Sequence, residues 1–148
     1  MALTEENIST LTVAINSIIE SSLTESVLKR LDSFGYEIKT DDTFLIAFSI
    51  ETVGQTIKNE CNVTEIPEGL INIAVDMICG EILSCKHRAG QLELSTLDLD
   101  GALESVKVGN ATVSFDNNTS DEIKLNTLIS MLSNAGRGQF ACYRQIKW

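Results

Sequence analysis

At 148 residues the chain has the length of one domain, and its composition of 43% hydrophobic and 22% charged residues is that of a folded globular protein rather than a disordered one. The formal net charge of −10 argues against a protein that binds DNA or an anionic membrane through a broad basic face. One proline and 5% aromatic residues suit helices better than a β-sandwich.

The sequence pattern over residues 1–39 predicts two helices. Apolar residues recur at loose helical spacing over residues 8–19, and Ser21-Ser22 interrupts the pattern. Residues 22–25 (Ser-Leu-Thr-Glu) have the form of a capping box, and Gly35 is typical of the end of the helix that follows. We expect this region to form an N-terminal helical extension.

Residues 40–90 predict the core helices. Thr40-Asp41-Asp42 offers N-cap candidates for a third helix that continues to about Cys61. Its predicted apolar side consists of Phe44, Leu45, Ala47, Phe48, Ile50, Val53, Ile57 and Cys61.

The next helix is apolar around most of its circumference. It is predicted to begin near Pro67, which a first helical turn tolerates, and to stop at Gly90. Asn72, Asp76 and Glu81 form its polar edge. Because a helix of this kind must be covered by its neighbours, we expect it to be the centre of the domain.

After Gly90 the pattern changes from helical to alternating. Residues 91–100 are too irregular to assign, whereas residues 105–115 alternate polar and apolar on both sides of Gly109-Asn110. This favours a β-hairpin over residues 104–116. Since an isolated hairpin is only marginally stable in water, it needs either the helices of its own domain or a sheet edge of another subunit.

The chain is predicted to end with a helix and a basic, aromatic tail. Ser120 and the two acids that follow open a helix that runs to Gly136. The tail, residues 137–148, carries three positive charges and no acid. It is too short to fold alone, so it packs either on its own domain or on a neighbour.

The residues that could carry chemistry do not form a recognisable site. Cys79, Cys85 and His87 lack the spacing and the fourth ligand of a zinc site, and His87 suits the end of a helix, where cations are favoured. Asp98 and Asp100 match no calcium loop and are best interpreted as solvated carboxylates. We therefore predict no enzymatic activity, no metal and no cofactor.

No targeting or membrane-spanning segment is evident in the sequence. The four cysteines, Cys61, Cys79, Cys85 and Cys142, are then expected to be reduced thiols in a protein made in a cytoplasm.

Three stretches together resemble the small helical head–tail connector (adaptor) proteins of tailed bacteriophages and prophages. They are the Ile-Pro-Glu-Gly-Leu opening at 66–70 with its apolar helix, the 105–115 hairpin, and the closing Tyr-Arg-Gln-Ile-Lys-Trp at 143–148. The last is similar to the Tyr-Arg-basic-Trp endings of clostridial and bacillus prophage members. The resemblance covers about residues 40–148, whereas residues 1–39 are longer and more polar than a minimal connector needs.

The resemblance implies a mainly α fold, a bundle of four to five helices with one protruding β-hairpin. It also implies a structural virion protein, assembled in the bacterial host cytoplasm into a ring of usually twelve subunits in the neck. Such a ring would bind the portal protein and the next neck or tail protein, and DNA would pass through it without specific binding. The implied interface residues are Val106, Val108, Gly109, Asn110, Val113, Phe115, Arg137, Phe140, Tyr143, Arg144, Ile146, Lys147 and Trp148.

Two alternatives stay open at this point. A phage-tail-like bacteriocin could employ the same kind of neck ring. The chain could also be an acidic helical adaptor or inhibitor that binds the basic surface of another protein.

Overall fold

The computed structural model describes residues 4–18, 21–106 and 119–146. In these ranges the chain is helical and contains no β-strand, which confirms the predicted mainly α class. The α-helices are α1 (Glu5–Asn16), α2 (Thr24–Ser33), α3 (Thr43–Cys61), α4 (Ile71–Arg88), α5 (Leu99–Ser105), α6 (Asp121–Ser133) and α7 (Phe140–Tyr143). Single 3-10 turns occur at Thr40–Asp42, Glu68–Leu70, Leu94–Thr96 and Arg137–Gln139.

Helix α4 lies at the centre and packs against α2, α3 and α6. A 3-10 turn over Glu68–Leu70 precedes α4, so the helix begins a few residues later than the predicted start near Pro67. As predicted, it ends just before Gly90, which adopts the left-handed conformation with φ of 71°. Ile78, Ile82 and Leu83 are fully buried. Each contributes on the order of 1.5–3 kcal/mol through removal of its side chain from water.

A close approach between α4 and α6 depends on Gly80. A Cβ atom at this position would lie 2.9 Å from Leu132 Cβ and 3.0 Å from Ser133 Oγ. The missing side chain therefore allows the two helices to pack closer than an alanine would permit.

Helices α1 and α2 join the same core rather than standing apart from it. Ile15 of α1 and Leu28 of α2 are fully buried, and α1 packs against both α2 and α3. The predicted capping box at the start of α2 is wrong. The N-cap of α2 is Leu23, so Ser22 lies one residue too early to cap the helix, and no side chain caps it. Thr24, the first residue of α2, is buried, and its hydroxyl donates to Asn16 Oδ1 at 2.8 Å, which joins the two helices.

The predicted apolar side of α3 needs a correction at two positions. Phe44 and Phe48 are 65% and 57% exposed, although they were expected in the core. The buried residues Ile46, Ile50 and Ile57 lie on the opposite side of the helix. The two rings thus face solvent because the helical repeat places them on the side opposite to these buried residues.

A buried ionic cluster joins the start of α3 to the end of α4. Asp42 Oδ1 pairs with Lys86 Nζ at 2.5 Å, while Asp42 Oδ2 accepts from the Tyr36 hydroxyl at 2.9 Å and from the Lys39 backbone N–H at 3.0 Å. Burial, followed by the hydrogen bond and negative charge of Asp42, raises the pKa of Tyr36. Asp42 therefore has partners for both of its oxygens.

The hairpin prediction is wrong for its first residues. Glu104 and Ser105 form the end of α5, and Val106, which follows it, is buried. At the start of α5 the Asp98 carboxylate accepts a hydrogen bond from the Gly101 N–H, and this N-cap favours helix over strand. The rest of the predicted hairpin, residues 107–116, lies outside the described residues.

Replacement of Gly80 should cost stability, whereas the same change at Gly54 should increase it. Both glycines lie inside helices, where alanine is favoured by about 1 kcal/mol. A Cβ at Gly54 meets only Ile66 Cδ1 at 3.7 Å, an ordinary contact. We expect Gly54→Ala to stabilise by about 0.5–1 kcal/mol and Gly80→Ala to destabilise by about 1–2 kcal/mol through overpacking, both measured by urea unfolding. Equal effects at the two positions would contradict the close approach of α4 and α6.

The Tyr36 phenol should make stability depend on alkaline pH. Because the fold raises its pKa above the ordinary value of about 10, the fold favours the neutral phenol. This contribution is complete below pH ~10 and is lost as the pH rises above that value. Tyr36→Phe should be less stable than the parent by roughly 1.5–3 kcal/mol at pH 7, and this deficit should shrink by pH 11. A deficit that stays constant across urea titrations from pH 7 to pH 11 would refute the assignment.

Candidate protein interface

The C-terminal tail folds back across the end of α3. The Gln145 N–H donates to Cys61 O at 2.8 Å, and Asn62 Nδ2 donates to Gln145 O at 2.9 Å. Arg144 Nε donates to Glu60 O at 2.9 Å. Since the last carbonyls of a helix have no partner within it, the tail supplies these partners and places a cation at the negative end of the helix dipole.

An apolar anchor holds the same segment. Phe140 is only 2% exposed, and its carbonyl accepts a weak hydrogen bond from Cys61 Sγ at 3.7 Å. Burial raises the pKa of the Cys61 thiol, so it acts as a small apolar group beneath the tail. The Tyr143 hydroxyl contacts Gly69 closely enough that any side chain there would displace it. We call Glu60, Cys61, Asn62 and Gly69 the tail dock.

The structure brings four predicted interface residues to this end of the molecule. Arg137 pairs with Glu60 at 3.7 Å, and Arg144 is exposed beside it. Tyr143 is partly exposed, and Ile146 is 77% exposed with no covering element among the described residues. The tail therefore presents cationic and apolar groups to solvent while it is anchored from within.

Two predicted interface residues belong to the core instead. Phe140 and Val106 are both buried against side chains of their own chain, so neither has a surface to offer a partner. The other predicted interface residues lie outside the described part of the chain. These are Val108, Gly109, Asn110, Val113, Phe115, Lys147 and Trp148.

An exposed aromatic pair near the start of α3 is a second candidate surface. The Phe44 and Phe48 rings stack with centroids 6.3 Å apart and an interplanar angle of 17°. Asp41 and Glu51, both exposed, lie about one helical turn to either side. Assignment of each α3 residue to a side of the helix identifies this pair from sequence, because Ile46, Ile50 and Ile57 already define the buried side. We call Phe44 and Phe48 the aromatic pair.

The residues considered for a catalytic or metal site have structural surroundings in the fold. Cys79 is buried in α4, and burial raises the pKa of its thiol. His87 lies in the last turn of α4, with its Nε2 3.6 Å from Glu122 Oε1. Asp100 pairs with Lys124 at 3.0 Å. Within the described residues, no group of three or more histidine, cysteine, aspartate or glutamate side chains could hold a metal ion.

Comparisons with known proteins returned no matching family model, no similar curated protein and no similar solved structure. Across the described ranges, no helix is both long and apolar enough to cross a membrane.

The anchor and the exposed end of the tail should respond differently to truncation. Phe140→Ala removes a buried ring and should cost about 3–5 kcal/mol of stability. Ile146→Ala, a truncation in the same segment at an exposed position, should change stability by less than about 0.5 kcal/mol. Urea unfolding of both variants tests the arrangement. A tail that does not pack on α3 would instead make Phe140→Ala as mild as Ile146→Ala.

Proposed function

We propose that this chain is a structural virion protein, a ring-forming head–tail connector between portal and tail. The observation that supports it best is the presence of two separate candidate surfaces on one helical core. The aromatic pair lies at one end of α3, and the exposed side of the tail lies at the other. A protomer that contacts a neighbour on each side requires two different surfaces of this kind.

The contact between two of the stretches that resemble connectors adds to this proposal. Tyr143 opens the closing stretch of the chain and packs on Gly69 in the loop before α4. The two stretches thus form one structural unit, in which the loop before the central helix positions the tail. The interaction hairpin predicted from the alternating sequence around Gly109-Asn110 lies outside the described residues and stays a prediction.

The charge of the chain agrees with a passive role toward DNA. At a net charge of −10, a ring of such subunits would repel phosphates, so DNA could slide through its channel without being held. In this proposal the ring extends the portal channel in the virion neck and offers its far side to the next neck or tail protein. It acts without a cofactor or catalytic group. A tail-like bacteriocin particle could use the same ring.

A second candidate function is favoured by the same acidity. An acidic helical adaptor could bind the basic surface of another protein, and it would need no self-association. Assembly state separates the two candidates.

The connector proposal predicts large rings when the protein is mixed with its cognate portal protein. Mass photometry and negative-stain microscopy should show closed rings on the portal. Deletion of residues 143–148, which spares the buried Phe140, should abolish or strongly reduce them because it removes the exposed contact groups. Val13→Ser, a change at a 69% exposed position of α1, serves as the control and should leave assembly intact. A protein that stays monomeric and never joins the portal would refute the connector and favour the adaptor.

A further inference from the structure

The exposed side of α3 is a continuous stripe with two unlike ends. Phe44, Phe48, Glu51, Gln55 and Asn59 follow one another at spacings of three or four residues, and all are exposed. The helix is 19 residues long, or about 28 Å. Its first half is aromatic and its second half is polar.

The tail lies at the polar end of this stripe. Asn62, which ends α3 in the left-handed conformation with φ of 55°, is bonded to Gln145. The neighbouring Arg144 and Ile146 are exposed. The same helix thus holds an apolar, acid-flanked surface at one end. At the other end it holds an apolar surface with the exposed cation of Arg144, next to Glu60, whose carboxylate pairs with Arg137.

These two surfaces are complementary in charge as well as in apolar character. Asp41 and Glu51 flank the aromatic pair, and Arg144 stands between Tyr143 and Ile146 on the tail. A guanidinium placed beside phenylalanine rings and a carboxylate makes both cation–π and charge-assisted contacts. Two copies of the aromatic pair facing each other would instead bring like carboxylates together, which disfavours a symmetric contact.

We propose that the aromatic pair of one copy binds the exposed tail residues Tyr143, Arg144 and Ile146 of a second copy. The contact is head-to-tail, so an associated pair keeps one free aromatic pair on one copy and one free tail on the other, and further copies add until a ring closes. This inference rests on the proposed ring function and names the surfaces that join its subunits.

The small size of the contact limits its strength. Two phenylalanine rings that are 65% and 57% exposed offer on the order of 250 Å² of apolar surface between them. A stable protein interface buries about 800 Å² on each partner. The free chain should therefore associate weakly and only at high concentration, and closed rings should need the additional contacts that a portal provides.

Photocrosslinking from position 48 tests the contact directly. Phe48 is replaced by p-benzoylphenylalanine, mixed at high concentration with isotope-labelled parent protein, and irradiated. Mass spectrometry should find crosslinks between position 48 of one copy and labelled peptides that contain residues 143–146. Crosslinks to the region of Phe44 and Phe48 in the second copy, or crosslinks only within one copy, would overturn the inference.

A mixing experiment provides an independent measure. Phe44→Ser/Phe48→Ser lacks one surface, and Tyr143→Ser/Arg144→Ser/Ile146→Ser lacks the other. Each variant alone should be monomeric under crosslinking conditions in which the parent and Val13→Ser form ladders. Mixed together, they retain one intact contact and should give only a heterodimer of twice the 16.2 kDa chain mass. Absence of this heterodimer from folded variants, as judged by circular dichroism, refutes the head-to-tail contact.

The two proposals fail in distinguishable ways. Closed rings on a portal without the crosslink from position 48 to the tail would support the connector function and refute this contact. The crosslink together with open chains of subunits that never close, on or off the portal, would support the contact and refute the ring-forming connector.

Discussion

The burial of α4 is the constraint on which the rest of the structure depends. Within α4 only Asn72 and Arg88 are exposed, so α2, α3 and α6 must surround it to remove its apolar side chains from water. The ion pair between buried Asp42 and half-buried Lys86 then fixes the start of α3 against the end of α4. The candidate interaction surfaces stand on a core arranged in this way.

Tail and core are linked through one helix end. Residues Arg144 and Gln145 satisfy carbonyl groups of Glu60 and Cys61, which α3 cannot satisfy itself. The exposed face of the tail is consequently held in place by backbone hydrogen bonds, while Phe140 fills the core beneath it. The tail is therefore a positioned element of the domain that presents selected side chains to solvent.

Features governed by periodicity and glycine could be predicted from the sequence, whereas features governed by tertiary contacts could not. The span of α4 and its end before Gly90 follow from its apolar pattern and from a left-handed glycine. Helix α5 cannot be recognised in the sequence because its seven residues are too few to show a period, and its start depends on the Asp98 side chain. The predicted capping box does not form because α2 begins after Leu23 rather than after Ser22, and Thr24 at its first position bonds to Asn16 of α1.

The candidate surfaces were predictable to different degrees. The tail was identifiable by its lack of acids and its large apolar groups, but the burial of Phe140 depends on where α7 meets α3. The prediction for Phe44 and Phe48 is wrong because apolar character does not require burial, and the positions of Ile46 and Ile50 place both rings on the other side of the helix.

The contact at Gly80 has a consequence for how such a sequence can diverge. The α-carbon of residue 80 faces Leu132 and Ser133 with no space for a methyl group, so a side chain can appear there only if α6 becomes smaller or moves outward. Positions 80, 132 and 133 are therefore expected to change together among descendants of this chain. Such co-variation would record the distance between two helices in the sequences themselves.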